Sequence, residues 1–150
     1  MGGTFHGATV ITLDAKGRLA LPTRHRDALA SNTGDLVLTA HPDGCILLYP
    51  MEAWAPVRTK VEKFPSLNTR ASWWKRLLLG HEEHITPDAS GRILISPALR
   101  MFAKLEREVV MVGQGSYFEL WDHGQWTVKL TQAMAQSGAT PPPGMEDFSL

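Results

Sequence analysis

The chain has 150 residues, 43% of them hydrophobic, with five Trp, five Phe and two Tyr. That length fits one compact domain or two very small ones, and that apolar content excludes intrinsic disorder. The formal net charge is zero and Cys45 is the single cysteine, which excludes a uniformly basic binder, an intrachain disulfide and a CxxC metal knot.

In chain order, "ATVITLD" alternates and is rich in β-branched residues, so it reads as a strand. "DAKG" is a turn: Asp14 can bond its own downstream backbone, and Gly17 can take a positive φ. "RLAL" is a short strand, and "TRHRDALA" is a helix with Thr23 expected as its cap. "LVLTAHPDGCILLY" is a hairpin whose loop contains Pro-Asp-Gly. The helix "MEAWAPVRTKVEKF" should start at Pro56 or kink there. "ASWWKRLLLG" is helical, with Gly80 as its stop. Trp73 and Trp74 pair at i, i+4 with Leu77 and Leu78, which predicts a core helix; a protein-binding hot spot is the alternative.

The second half continues with "RILI" as a strand and "SPALRMFAKL" as a helix, capped by Ser96 with Pro97 at its first position. "VVMVGQGSYFELW" is a hairpin turning at Gly113 and Gly115. "HGQWTVKLTQAMAQ" is a helix, and the proline-rich "SGATPPPGMEDFSL" is a loosely held end.

These elements repeat. "TLDAKGRLAL" at 12–21 matches "TPDASGRILI" at 86–95, and 35–54 parallels 108–126, with Trp54 against Trp126. This is an internal duplication of about 45-residue units. One such unit is too small to hide both faces. Two units packed about a pseudo-twofold axis, with strands interleaved, would solve that.

The Asp-x-x-Gly-Arg turn is the sharpest motif. Asp14, Gly17, Asp88 and Gly91 are explained by turn geometry alone. Arg18 and Arg92 either clamp the turn's own Asp or reach a phosphate or guanine edge, where a planar fork can bond twice. Lys16, at the first turn's tip, is Ser90 in the second copy; with Arg24 and Arg26 it makes the first copy the more basic. Residues 1–80 carry ten Lys/Arg against six Asp/Glu, and residues 81–150 five against nine, or +4 and −4. Such polarity lets one face meet a polyanion.

The pattern from "DAKGRLALPTRHRDAL" through "HPDGCILLYPMEAW" and "WWKRLLLGHEEH" to "DASGRILISPALR" and "FELWD" resembles the MraZ family, of the SpoVT–AbrB-like swapped-hairpin class. The match covers about residues 5–125; the lead "MGG" and the tail are atypical. The resemblance implies an α+β, mainly β fold: two tandem pseudo-symmetric AbrB-like halves form one compact β-barrel-like unit with flanking helices. The expected organisation is a first repeat at 8–53, connecting helices at 54–81, a second repeat at 82–125, and a C-terminal helix with flexible tail at 126–150. It further implies a sequence-specific DNA-binding regulator that represses the division and cell-wall operon. Repeated double-stranded promoter sites would be bound by a homo-oligomeric ring. The candidate DNA-binding residues are Lys16, Arg18, Arg24, Arg26 and Arg92, and no cofactor or small-molecule substrate is implied.

Two rival readings stand against it. "HEEH" at 81–84 lacks the His-x-x-x-His spacing of a zinc protease, so a metal-dependent enzyme is disfavoured. Cys45 in "CILLY" reads as a buried inert thiol. An antitoxin-like protein-binding module is the second rival, but such proteins append a long arm to one copy of the fold. No apolar run approaches the roughly 20 residues a membrane helix needs. "MGGTFHGATV" has no basic stretch before an apolar core, so no signal peptide is expected. A cytoplasmic protein is expected by default, and the resemblance implies that it is nucleoid-associated.

Overall fold

The computed structural model describes residues 4–30 and 34–148; the lead "MGG" lies outside the described residues, as do positions 31–33 and 149–150. The first repeat folds as β1 (Ala8–Thr12), β2 (Arg18–Ala20), α1 (Thr23–Leu29), β3 (Leu36–Ala40), β4 (Ile46–Pro50) and α2 (Met51–Glu62). After α3 (Thr69–Leu78), the second gives β5 (Glu83–Ile85), β6 (Arg92–Leu94), α4 (Pro97–Phe102), β7 (Glu108–Gly113), β8 (Phe118–Asp122) and α5 (His123–Ser137).

The six-stranded sheet has the order β1-β7-β8-β4-β3-β5, and β2 pairs with β6 in a separate two-stranded ladder. That order is symmetric about a line between β8 and β4. Each repeat's first strand crosses to the other half: β1 pairs with β7 through Val10↔Val110, and β5 with β3 through His84↔Val37. Neither half can bury its hairpin without the other's edge strand. The main core lies between the sheet and the β2–β6 ladder with α1 and α4, and it includes Leu19, Leu38, Leu48, Ile93, Met111 and Leu120. On the sheet's other face, Trp54, Val61 and Leu78 pack on Val37, Leu47 and Tyr49, while Trp126 packs on Val110, Val112 and Trp121.

The structure corrects several expectations. The sheet is not a closed barrel: β1 and β5 remain its edges, because each has only one neighbour. Nor is the fold mainly β, since 35% of it is helix and 27% strand. Pro22 occupies the N-cap position of α1 and Thr23 is already helical, with no side-chain cap. The α2 helix starts at Met51, whose N–H donates to Asp35 O at 3.1 Å, and it runs through Pro56. The Gly80 expected to stop α3 follows the Leu79 C-cap, and a Cβ there would stand 2.1 Å from Arg76 O, so close approach demands glycine. Trp73 and Trp74 are 58% and 41% exposed, not core; the inward face of α3 is supplied by Leu78, which is buried, and by Leu77, which packs on the main core. The cap at Ser96 is as expected, its Oγ accepting from Leu99 N at 3.2 Å.

The polar connector "HEEH" holds a strand that lacks β-branched alternation, and it is fixed instead by pairing with β3. Just before it, Glu82 ties α2 to β5. Its Oε1 accepts from Trp54 Nε1 at 2.8 Å and Arg58 Nε at 3.1 Å. Its Oε2 meets Arg58 Nη2 at 2.5 Å and His84 Nε2 at 2.6 Å. Burial pushes this carboxyl up, but the bonds from Arg58, His84 and Trp54 outweigh it and hold it below the usual glutamate range. A depressed folded value stabilises above the unfolded pKa and is lost as pH falls through the folded one. Glu82→Gln is therefore expected to cost about 1–3 kcal/mol in urea unfolding at pH 7. The gap from wild type should close as pH falls below about 4.

Candidate nucleic-acid interface

The two repeated turns have one geometry. Asp14 Oδ1 accepts the backbone N–H groups of Lys16 and Arg18, each at 2.9 Å, and Oδ2 accepts Arg18 Nε at 2.8 Å. Asp88 accepts the N–H groups of Ser90 and Arg92 and the Arg92 Nε, all at 2.9 Å. Both carboxyls are held below the usual carboxylate range, foremost by the backbone N–H of Arg18 or Arg92. The Asp–Arg clamp is therefore built in both copies.

Each turn is completed by the opposite half. Ile95 N donates to Gly17 O at 2.8 Å, and Leu21 N donates to Gly91 O at 2.9 Å. Arg100 Nε donates to Ile95 O at 3.1 Å, and Arg26 Nε to Leu21 O at 2.8 Å. The guanidinium of Arg100 thereby lies on Gly17, and that of Arg26 on Gly91. A Cβ on either glycine would stand 2.8 Å from Arg100 Cζ or 2.5 Å from Arg26 Nε. The swap reassigns two cations that chain order places elsewhere. Arg26 belongs to the second turn, and Lys16 and Arg18 gain Arg100 as their neighbour.

In all four arginines the Nε is the bonded atom; among the described residues none has an acceptor on its Nη nitrogens. The clamp and the ligand-binding alternatives are thus compatible. One bond fixes each arm and leaves the outer edge of the fork unbonded. Leu19 and Ile93 point into the core, so Arg18 and Arg92 share the ladder's outer face beside Leu94 and Ala20. Diagonal neighbours of this kind lie roughly 7–8 Å apart, their Cβ atoms somewhat closer. Arg18 and Arg92 have side chains 29% and 36% exposed. Lys16 is exposed at the first turn's tip.

Arg24 does not join either turn. Its Nη2 donates to Thr9 Oγ1 at 2.5 Å and its Nε to His25 Nε2 at 3.1 Å. Burial, with Arg24 adding to it, pushes the His25 pKa down, and its ring packs on Phe118 at 4.8 Å. Nor do the turns hold the N-terminal charge surplus. Residues 1–50 carry four Lys/Arg and four Asp/Glu, whereas 51–80 carry six and two, so the excess sits on α2 and α3.

The contributions of Arg26 and Arg100 are invisible at the level of single turns. The signal for them is their equivalent position in the two repeats, each eight residues beyond the motif arginine. Among the described residues no three His, Cys, Asp or Glu side chains gather as a metal set, and no helix is long and apolar enough to cross a membrane. His84 is bonded to Glu82, while the His81 ring packs on Phe102 at 5.6 Å. Cys45 is buried and its thiol is pushed up by that burial.

The glycine requirement can be measured against an internal control. Gly44 has φ +96° and open space within 4 Å of where a Cβ would stand, whereas Gly17 has φ +83° and Arg100 in the way. Both Ala variants should lose about 1–2 kcal/mol from the left-handed backbone. Gly17→Ala should lose more than Gly44→Ala in urea unfolding, because it also dislodges Arg100.

Comparison with known proteins agrees with this architecture. The model of the MraZ family, described as a candidate antitoxin-like protein, matches residues 4–76 and 78–145. The transcriptional regulator MraZ of Methylobacillus flagellatus is 49% identical over 147 residues, 97% of this chain and 99% of the relative. The same regulator of Dechloromonas aromatica is also 49% identical over 147 residues, with the same coverage. That of Aromatoleum aromaticum is 46% identical over 146 residues, 97% of this chain and 99% of its own. With matches spanning both repeats and nearly the full length of each relative, the chain belongs to the MraZ family.

Proposed function

We propose that this protein is a sequence-specific DNA-binding transcriptional regulator. In this reading it represses a division and cell-wall operon by binding repeated promoter sites as a homo-oligomeric ring, in the cytoplasm and on the nucleoid. The observation that carries the reading is the set of four guanidiniums held at Nε with no acceptor on their Nη nitrogens among the described residues. A rigid fork with two unused donors suits bidentate contact to guanine or phosphate. Lys16 and Arg100 supply phosphate contacts beside the first turn, and Arg18 reads a base edge, because phosphate contacts alone carry no sequence information. The second turn, with Ser90 at its tip, contributes less; Arg24, facing β1, acts only at the margin.

One protomer on this account makes ~2–3 phosphate contacts, short of the roughly 6–10 behind steep salt dependence. Several protomers on consecutive sites convert weak contacts into avidity through effective concentration. A chain of zero net charge then binds firmly. The antitoxin-like description of the family favours a second reading, a protein-binding module whose capture of a partner is independent of DNA.

The test is a gel shift against the protein's own upstream region, titrated with salt. Arg18→Ala is expected to abolish the specific shift, since a loss of about 1–3 kcal/mol per base contact recurs in every protomer. Arg92→Ala should lose less, and Lys16→Ala should flatten the salt slope. Wild-type affinity in folded Arg18→Ala would refute the reading, and partner capture without any DNA shift would favour the second.

A further inference from the structure

The equivalent helices α1 and α4 differ at one inward position. Seven residues beyond the motif arginine, the second repeat has Leu99, fully buried in the main core. The first repeat has His25 there, half-buried beside two phenyl rings. Its ring centroid lies 4.8 Å from that of Phe118 and 6.1 Å from that of Phe5. Phe5 and Phe118 themselves stand 4.5 Å apart, and Phe5 is tied to Gly115 by backbone bonds in both directions. A titratable ring thus takes the packing role that a leucine has in the other copy.

Its one hydrogen bond discriminates between the two protonation states. Arg24 Nε donates to His25 Nε2 at 3.1 Å, and Arg24 Nη2 donates to Thr9 Oγ1 on β1. Nε2 can accept only while it carries no proton, so this arrangement requires the neutral ring. An imidazolium has a donor on each nitrogen and would set a second positive charge against Arg24. No carboxylate compensates it. The amino-terminal segment brings Phe5, with His6 exposed beside it. On β8, Glu119 is turned to the outer face of the sheet, where it accepts from Trp121 Nε1 at 2.9 Å. On α1 itself, Arg26 donates to Leu21 O, and Asp27 is exposed. After burial, the Arg24 charge is what bears on the ring.

We propose that His25 is a proton switch: the neutral ring holds α1 on β1 and on the Phe5–Phe118 pair, and the charged ring releases Arg24 and loosens α1. Arg24 leaving the ring also gives up the tie to Thr9. The residue after His25 is Arg26, whose guanidinium lies on Gly91, so the completion of the second turn loosens with the helix. Burial and Arg24 hold the docked ring below the ordinary histidine value, so the undocked helix takes up a proton more readily. Docking is therefore at full strength above about pH 6.5, weakens as pH falls below it, and levels off below the docked ring's own pKa. The switch stands apart from the DNA reading above; only its consequence for binding rests on that reading.

Amide hydrogen exchange of the full chain, corrected for the intrinsic effect of pH, tests it between about pH 7.5 and about pH 5. On acidification α1 should lose protection by up to ~10-fold for each unit by which the His25 midpoint, read by NMR, lies below about 6.5. The α4 helix, with Leu99, should not respond. His25→Leu, which copies the second repeat, should leave α1 equally protected at both pH values. If that variant fails to fold, Arg24→Ala serves instead: removing the like charge should raise the His25 midpoint. Equal α1 protection at the two pH values in wild type, the same loss in His25→Leu, or an unmoved midpoint in Arg24→Ala would overturn the switch. The promoter-DNA affinity of wild type, relative to His25→Leu, should also fall on acidification. A constant ratio with lost α1 protection would overturn the link to DNA and leave the switch standing.

Discussion

Everything in this molecule depends on a reciprocal exchange between two copies of one sequence unit. The amide of Ile95 bonds the first turn and that of Leu21 bonds the second. The first strand of each repeat likewise pairs with the hairpin of the other. A unit of about 45 residues buries too little surface to stand alone. The exchange removes that problem by building one core from both. It also places a helix arginine from each half on the other half's turn glycine.

That placement changes how charge is used. The sequence carries as many acids as bases, and the first 50 residues are themselves balanced. Positive potential at the turns therefore comes from geometry. Two carboxylates are consumed as internal acceptors for backbone N–H groups, while the arginines they hold keep their outer donors. An ion pair that is exposed in both partners contributes little stability. Here its main effect is orientation: it sets where Arg18 and Arg92 point, on a ladder whose other face, Leu19 and Ile93, is locked in the core.

Much of this is legible in the sequence, for identifiable reasons. The duplication, the turn chemistry of Asp14 and Gly17, and the Ser96 cap are local, so five to ten residues specify them. What the sequence hides is non-local. The strand Glu83–Ile85 has no β pattern of its own and exists because β3 needs a neighbour. Trp73 and Trp74 have a core-like spacing, yet α3 meets the cores only through its last turn, where Leu77, Leu78 and Leu79 pack inward while both tryptophans stay exposed. Grouping Arg26 with Lys16 follows chain order, which the swap overrides. The open barrel has the same origin: each edge strand is spent on crossing over and has no second partner.

Each turn is completed by the arginine of the opposite repeat, and the positive surface is built on that completion. Promoter-DNA binding by Arg100→Ala and Arg26→Ala, compared by fluorescence anisotropy at one salt concentration, tests this most directly. Arg100→Ala is expected to weaken binding more, although Arg26 is the residue that shares a repeat with Lys16 and Arg18. The reverse order, with both variants folded, would contradict it.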